Sequence, residues 1–276
     1  MVLILYWHFN IRKKNEEDEK MKFEVEKEVN HIVNFIRDYY QKNHLKGVVI
    51  GISGGKDSGV VAALFTKALG SENVVGFALP CHSHQEDYQD AKLVSDYYHF
   101  PLYQIDLTPA FDDIRKEVGK IQTIDEITTK NSDINLKPRL RMSALYYMAA
   151  FLSEIKGGTY LVAGTSNLCE LYVGYFTKGG DNVHDISLLA NYTVEEVIAI
   201  GEYLKVPAKV LYKTPNDGLS NQSDEEKLGV TYRDIASYIE DKNSVTDVVG
   251  EKIKKLHQNN QHKFHIPTCQ REIEES

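Results

Sequence analysis

A short apolar run, Gly47-Val48-Val49-Ile50, leads directly into Gly51-Ile52-Ser53-Gly54-Gly55-Lys56-Asp57-Ser58, and a helical pattern opens behind it at Val60-Val61-Ala62-Ala63-Leu64-Phe65. That order reads as a strand, a glycine-rich turn and a helix N-terminus. The first N–H groups of such a helix have no internal acceptor and point at whatever sits in the turn. Glycines permit positive φ and let a phosphate approach the backbone closely. Ser53 and Ser58 add hydroxyl donors. Asp57 is the odd member. A carboxylate beside a phosphate cradle repels it unless a cation lies between them, so Asp57 points to Mg²⁺. The plainer alternative is a glycine-rich turn with no ligand.

The same alternation continues along the chain. An amphipathic helix is expected from Met21 to about Asn43, and strands at Val74–Leu79, Leu102–Ile105 and Thr159–Ala163. A helix is expected at Glu86–His99 and another at Pro138–Ile155, with Pro138 in its first turn, where a missing N–H costs little. Thr108 to Asn135 reads as irregular, with a helix at Asp112–Val118. Thr193 and Glu196 have the spacing of a capping box. Strands alternating with helices predict an α/β fold, a parallel sheet covered by helices on both faces. Ligands in such sheets sit outside the carboxyl ends of the strands. Those ends carry the Gly51–Ser58 loop, Pro80–His84, Asp106–Thr108 and Gly164–Glu170. Lys213 to Lys227 is polar and rich in turn residues, and reads as a mobile loop over a site.

Composition narrows the partners. A net charge of −8 argues against nucleic acid. No apolar run reaches membrane-spanning length. Three cysteines, far apart, fit a reducing, cytoplasmic setting and not a disulfide framework. At 276 residues the chain suits one domain, expected over 21–276, with residues 1–20 as a disordered extension or with translation starting at Met21.

Two common nucleotide loops fail at Gly51–Ser58. Walker A requires four residues between its glycines and Ser or Thr after its lysine. Here three residues separate Gly51 from Gly55, and Asp57 follows Lys56. The dinucleotide fingerprint lacks its glycine triplet. The spelling S-G-G-x-D-S resembles the loop of the N-type ATP pyrophosphatases. The resemblance implies an adenine nucleotide α-hydrolase-like, Rossmann-like fold. It also implies ATP cleaved between its α- and β-phosphates. Gly164-Thr165-Ser166-Asn167-Leu168-Cys169-Glu170 follows the fourth expected strand. Glu170 is a second carboxylate able to share a cation with Asp57; the alternative is a helix cap with an acidic first turn.

Further blocks sharpen the resemblance. Asn135-Leu136-Lys137-Pro138-Arg139-Leu140-Arg141-Met142, Gly174-Tyr175-Phe176-Thr177-Lys178-Gly179-Gly180-Asp181 with Asp185, the run Asp224–Tyr232, and His262-Lys263-Phe264 occur in this order. Together they resemble the ammonia-dependent NAD synthetases over roughly Met21 to Pro267. That resemblance implies adenylation of the carboxylate of nicotinate adenine dinucleotide (deamido-NAD), then attack by ammonia to give NAD and AMP. By position it implies that Gly51, Ile52, Ser53, Gly54, Gly55, Lys56, Asp57 and Ser58, with Thr165 and Asn216, contact ATP. Asp57 and Glu170 would be the catalytic Mg²⁺ ligands, and Arg139, Lys178, Asp185, His262 and Lys263 would contact deamido-NAD. Without the resemblance, Arg139 and Lys178 are ordinary solvated charges, and His262 and Lys263 could belong to a disordered tail. The resemblance also implies a homodimer.

Some positions depart from the pattern. Val194 stands where many members have an ATP-contacting lysine, Asn216 follows Pro215 where Ser or Thr is usual, and Lys56 fills a position usually apolar or Gln. Only fifty residues precede Gly51, too few for the amidase domain of glutamine-dependent relatives, so ammonia is expected to be free or supplied by a separate protein. Cys81-His82-Ser83-His84 has metal-ligand residue types but no second cluster at zinc spacing. Two other readings remain open: a tRNA-modifying ATP pyrophosphatase, against which the charge and the absent C-x-x-C speak, and a nucleotide-binding regulator without turnover.

Overall fold

The structure is a computed structural model that describes residues 23–83, 85–121, 126–214, 223–264 and 266–269, without the side chains of 126–129. The N-terminal extension, the alternative start at Met21, His84 and Asn216 lie outside the described residues. The first helix, α1 (Val25–Lys42), is followed by β1 (Leu45–Gly51), α2 (Lys56–Leu69), β2 (Val74–Ala78), α3 (Gln85–Tyr98), β3 (Leu102–Gln104), α4 (Thr108–Gly119) and α5 (Glu126–Lys156). Then come β4 (Thr159–Gly164), α6 (Leu168–Val173), β5 (Ile186–Ser187), α7 (Val194–Leu204), α8 (Ala208–Leu211), α9 (Asp224–Leu228), α10 (Tyr232–Glu240) and α11 (Asp247–Asn259).

The strands form one all-parallel sheet in the order β3-β2-β1-β4-β5. Alternate side chains of each strand face opposite ways. Val48 and Ile50 of β1, Val74 of β2 and Ala163 of β4 pack with Val29, Ile32 and Ile36 of α1, Leu64 and Phe65 of α2 and Ile200 of α7. Their neighbours Val49, Val75, Phe77 and Val162 pack on the other face with Phe111 of α4 and Ala149 and Leu152 of α5. Helices therefore cover both faces, as the alternation predicts. A third cluster joins α6, α10 and α11 around Cys169, Tyr232 and Ile253.

The chain leaves β1 towards β2 and β3, then returns to place β4 on the opposite side of β1. The crevice outside the carboxyl ends of β1 and β4 is thus the topological switch point, the expected ligand position in an open parallel sheet.

Two expectations need correction. Pro138 lies inside a 31-residue helix, not in a first turn, because α5 already runs from Glu126 through the segment read as irregular. An interior proline forfeits one ladder hydrogen bond. Local contacts offset that loss: Pro138 packs on Gly180, and the Thr177 hydroxyl donates to Asn135 Oδ1 at 3.0 Å. Asp224–Lys227, the end of the expected Lys213–Lys227 loop, belongs to helix α9, opened by a capping box between Ser223 and Glu226, while residues 215–222 of that loop lie outside the described residues. The two-residue strand β5 is an addition to the expected strands; it pairs with the end of β4. The Thr193–Glu196 capping box is present, with Glu196 N donating to Thr193 Oγ1 at 3.3 Å.

Gly54 shows why the loop has its spelling. Its φ is +79°, and a Cβ there would lie 2.6 Å from the carbonyl oxygen of Asp87 at the start of α3. Both the dihedral and the contact exclude a side chain. Gly54→Ala is expected to cost about 2 kcal/mol or more of unfolding free energy. Urea denaturation checks this; an unchanged midpoint would contradict it.

Candidate active site

The Gly51–Ser58 loop turns tightly on its own hydroxyls. Gly55 N donates to Ser53 Oγ at 3.2 Å, Ser58 Oγ donates to Gly55 O at 3.0 Å, and the two hydroxyls lie 3.1 Å apart. Gly55 caps α2 without a side-chain bond, so the first N–H groups of that helix stay open to a ligand. Gly51, Ile52, Ser53, Gly55, Lys56, Asp57 and Ser58 line a cleft of ≈ 820 Å³. This size lies within the usual range for small-molecule sites, roughly 300–1,000 Å³.

The second wall comes from β4. Gly164, Thr165, Ser166 and Glu170 line the same cleft. Gly164 tolerates no side chain, because a Cβ would lie 2.5 Å from the His184 ring. Asn167, fully buried, joins the two walls. Its Oδ1 accepts from Glu170 N at 3.1 Å, while its own N–H donates to Glu170 Oε2 at 3.0 Å. Its Nδ2 donates across the switch point to Asp57 Oδ1 at 3.1 Å. Glu170 is therefore the acidic partner of a capping box, the helix-cap alternative, and it also lies close enough to Asp57 to feel its charge.

Lys56 closes the group. Its side chain is 6 % exposed, and Nζ lies 3.0 Å from Asp57 Oδ2 and 5.7 Å from the centre of the Tyr232 ring. Burial works against its charge, but Asp57, Glu170 and Asp224 outweigh burial and hold the ammonium above the usual lysine value. Desolvation and then the Asp57 carboxylate push Glu170 well above the ordinary carboxyl range. Asp57 and Glu170 offer hard oxygen donors on adjoining walls, the donor type Mg²⁺ takes together with substrate phosphates and water. Among the described residues there is no cluster of three or more His, Cys, Asp or Glu able to hold a metal unaided. The donor set therefore fits a cation held partly by its nucleotide.

The remaining predicted residues are placed differently. Lys263 lines the cleft and donates to the carbonyls of Gly174 and Phe176 at 2.7 and 2.8 Å. Arg139, Lys178, Asp185 and His262 do not line it. Arg139 donates twice to Lys178 O at 3.2 Å, and Lys178 Nζ donates to His262 O at 2.7 Å, so the three form one exposed chain beside the cleft. Asp185 accepts from Val162 N at 2.8 Å and from the Tyr146 hydroxyl at 3.0 Å, which pins the end of β4. His262 and Lys263 belong to a docked 3-10 turn, not to a loose tail. Val194 is a buried first residue of α7 packed near Cys169. Cys81 is buried, and His82 bonds Asp112 at 2.9 Å on the surface.

Several cleft residues were not singled out from the sequence. Asn135, Arg141, Asp181, His184 and Lys213 all line it. Arg141 donates to Leu79 O at 3.1 Å, and Asp181 accepts from Thr177 N at 3.0 Å. Asn167 could have been found from its three-residue spacing to Glu170, the capping-box signature.

Comparison with known proteins decides the family. The family model described as NAD synthase matches residues 28–267. The chain belongs to the NAD synthase family. It is 36 % identical over 248 residues to the NH(3)-dependent NAD(+) synthetase of Carboxydothermus hydrogenoformans, covering 90 % of this chain and 98 % of that protein. It is 39 % identical over 206 residues to the protein of the same description from Methanococcus aeolicus, covering 74 % and 77 %. Among solved structures, the NMN synthetase of Francisella tularensis superposes with a TM-score of 0.80 at 32 % identity, over 90 % of this chain and 99 % of that one. The NAD⁺ synthetase of Burkholderia pseudomallei superposes at 0.71 with 26 % identity, over 89 % and 91 %. Among the described residues, no helix is long and apolar enough to cross a membrane.

Glu170 yields a pH prediction. Its folded pKa is raised, so the native state binds more protons than the unfolded chain above the ordinary carboxyl value of 4.5. Stability from this group is therefore present at low pH and lost as pH rises from that value through the raised one. Glu170→Gln, which keeps an oxygen for the cap, is expected to flatten the fall in unfolding free energy between acid and neutral pH. Parallel slopes for the two proteins in urea titrations would contradict it.

Proposed function

We propose that this chain catalyses the ATP-dependent amidation of deamido-NAD with ammonia, giving NAD, AMP and pyrophosphate. The observation that carries the reading is the pairing of the Gly51–Ser58 loop with Asp57 and Glu170 across the switch point, in a chain of the NAD synthase family. A carboxylate is a poor electrophile. Its oxygen attacks the α-phosphorus of ATP, the bond to the β-phosphate oxygen breaks, and pyrophosphate leaves. Ammonia then attacks the acyl carbon, loses a proton, and AMP departs.

The loop N–H groups and the Ser53 and Ser58 hydroxyls hold the phosphates. Asp57 and Glu170 would hold Mg²⁺, whose charge offsets that developing on the leaving pyrophosphate. Thr165 bounds the nucleotide on the β4 side. Asn167 keeps the two carboxylates at a fixed separation. The rest of the rate comes from positioning, since no protein nucleophile is needed. The exposed Arg139–Lys178–His262 chain and Lys263 supply donors for the second nucleotide. Asp185 acts by fixing the end of β4, and Asn216 is retained as an ATP contact by resemblance. The buried free cysteines, Cys81 and Cys169, suit a cytoplasmic enzyme.

A second reading follows from the likeness to the Francisella NMN synthetase. An enzyme making NMN by the same chemistry takes the carboxylate of nicotinate mononucleotide. Both readings share the ATP half of the cleft. The test supplies Mg²⁺ and ATP with either nicotinate nucleotide and with ammonium or glutamine, and follows NAD, NMN, AMP and pyrophosphate. NAD from deamido-NAD and ammonium is expected. Faster turnover of the mononucleotide would favour the second reading, and no amidation of either by folded protein would contradict both.

We also propose that the enzyme works as a homodimer through α5. Tyr147, Phe151 and Ile155, spaced by four residues on one helix face, are 71 %, 42 % and 60 % exposed. Such a stripe is apolar surface in search of a partner. Phe151→Glu is expected to halve the solution mass in light scattering; a monomeric parent protein would contradict the proposal.

A further inference from the structure

We propose that Lys56 is a built-in counter-cation that holds Asp57 until the nucleotide brings its metal, so that the divalent ion binds with ATP and not before it. The inference rests on the reading that Asp57 and Glu170 take Mg²⁺ together with ATP. Both oxygens of Asp57 are engaged within the chain: Oδ1 accepts from Asn167 Nδ2 at 3.1 Å and Oδ2 faces Lys56 Nζ at 3.0 Å. A divalent ion seeking Asp57 therefore meets a resident ammonium.

That ammonium is not a loose surface charge. Lys56 is the first residue of α2, its side chain is 6 % exposed, and its Nζ rests over the Tyr232 ring. Tyr232 is itself buried, and its hydroxyl donates to Asp224 Oδ2 at 3.4 Å. Asp224 also accepts from the Tyr175 hydroxyl at 3.0 Å. Lys56 is thus seated by α9 and α10, elements remote in sequence from the phosphate loop. Three carboxylates, Asp57, Glu170 and Asp224, act on it. The ammonium offsets negative charge in this group, that of Asp57 first, which lowers the pull on a free divalent ion. When the polyphosphate arrives, its own charge makes room for a second cation, and Lys56 is placed to share the phosphate load with the metal. A neutral residue at this position leaves Asp57 open to a divalent ion in the absence of nucleotide.

The experiment is a Mn²⁺ titration followed by electron paramagnetic resonance without ATP, on wild type, Lys56→Gln and Lys56→Arg. Lys56→Gln is expected to bind Mn²⁺ about tenfold more tightly than wild type. Lys56→Arg, which keeps the charge, is expected to match wild type. A Lys56→Gln protein that is folded by circular dichroism and binds no more tightly overturns the inference. Should that variant fail to fold, the lysine NH₃⁺ resonance of Lys56 in the wild type decides. It is expected to shift on adding Mg²⁺ with ATP and to stay in place with Mg²⁺ alone; an equal shift with Mg²⁺ alone overturns the inference. None of these readouts requires NAD formation, so failure of the amidation reading leaves the inference standing. Failure of ATP-loaded wild type to bind Mn²⁺ would overturn both the inference and the magnesium site on which it rests.

Discussion

The buried amide of Asn167 is the joint on which the site depends. It belongs to the turn after β4, yet its Nδ2 reaches Asp57 in the first turn after β1, and its Oδ1 caps α6 by accepting from Glu170 N. One side chain thereby sets the separation of two carboxylates from the two strands at the switch point. A fully buried amide has no water to fall back on, so each of these bonds is expensive to lose. The capping box adds a second constraint, since Glu170 returns a carboxylate oxygen to Asn167 N. Two acidic groups that would repel each other are thus held together by backbone and amide donors.

Charge organises the rest of the cleft. Lys56, Asp57, Glu170 and Asp224 form a group in which one ammonium faces three carboxylates, walled by Tyr232. Beyond it, the carboxylate of Asp90, buried at 2 %, is shared by Lys213 at 2.7 Å and Lys209 at 2.6 Å. Burial alone would raise its pKa, but the two lysines outweigh burial and keep it ionised. Asp90 also packs against Gly54. The N-terminal end of α3 and the segment after α8 are therefore tied to the phosphate loop. These contacts place fixed positive and negative groups around a space suited to a polyanion and its counter-ion, the arrangement that adenylation requires.

Much of this was legible in the residues. The apolar run before Gly51 and the glycine spelling of the loop identify a strand–turn–helix with little ambiguity, and alternating patterns identify a doubly covered parallel sheet. What escaped was set by long-range contacts. The two-residue β5 is too short to carry a period, and it exists because β4 offers it an edge. The span 126–137 is helical because Pro138 finds Gly180 and Asn135 finds Thr177. The Asp224–Tyr232 run stands out in the sequence as a block, but only the fold reveals that Asp224 and Tyr232 seat Lys56. Resemblance aligns Arg139, Lys178, Asp185 and His262 with a substrate, yet it carries no information on which groups of the chain these side chains meet. In the folded chain Arg139 and Lys178 engage backbone carbonyls, and Asp185 engages the end of β4.

The central claim is that the carboxylate of the nicotinate nucleotide is activated by transfer of AMP at this cleft. Isotope tracing tests it most directly. Deamido-NAD carrying ¹⁸O in its nicotinate carboxylate is incubated with enzyme, Mg²⁺, ATP and ammonium, and the products are analysed by mass spectrometry. One ¹⁸O atom is expected in the phosphate of AMP and one in the carboxamide of NAD. An unlabelled AMP, or label transferred to inorganic phosphate beside ADP, would contradict it.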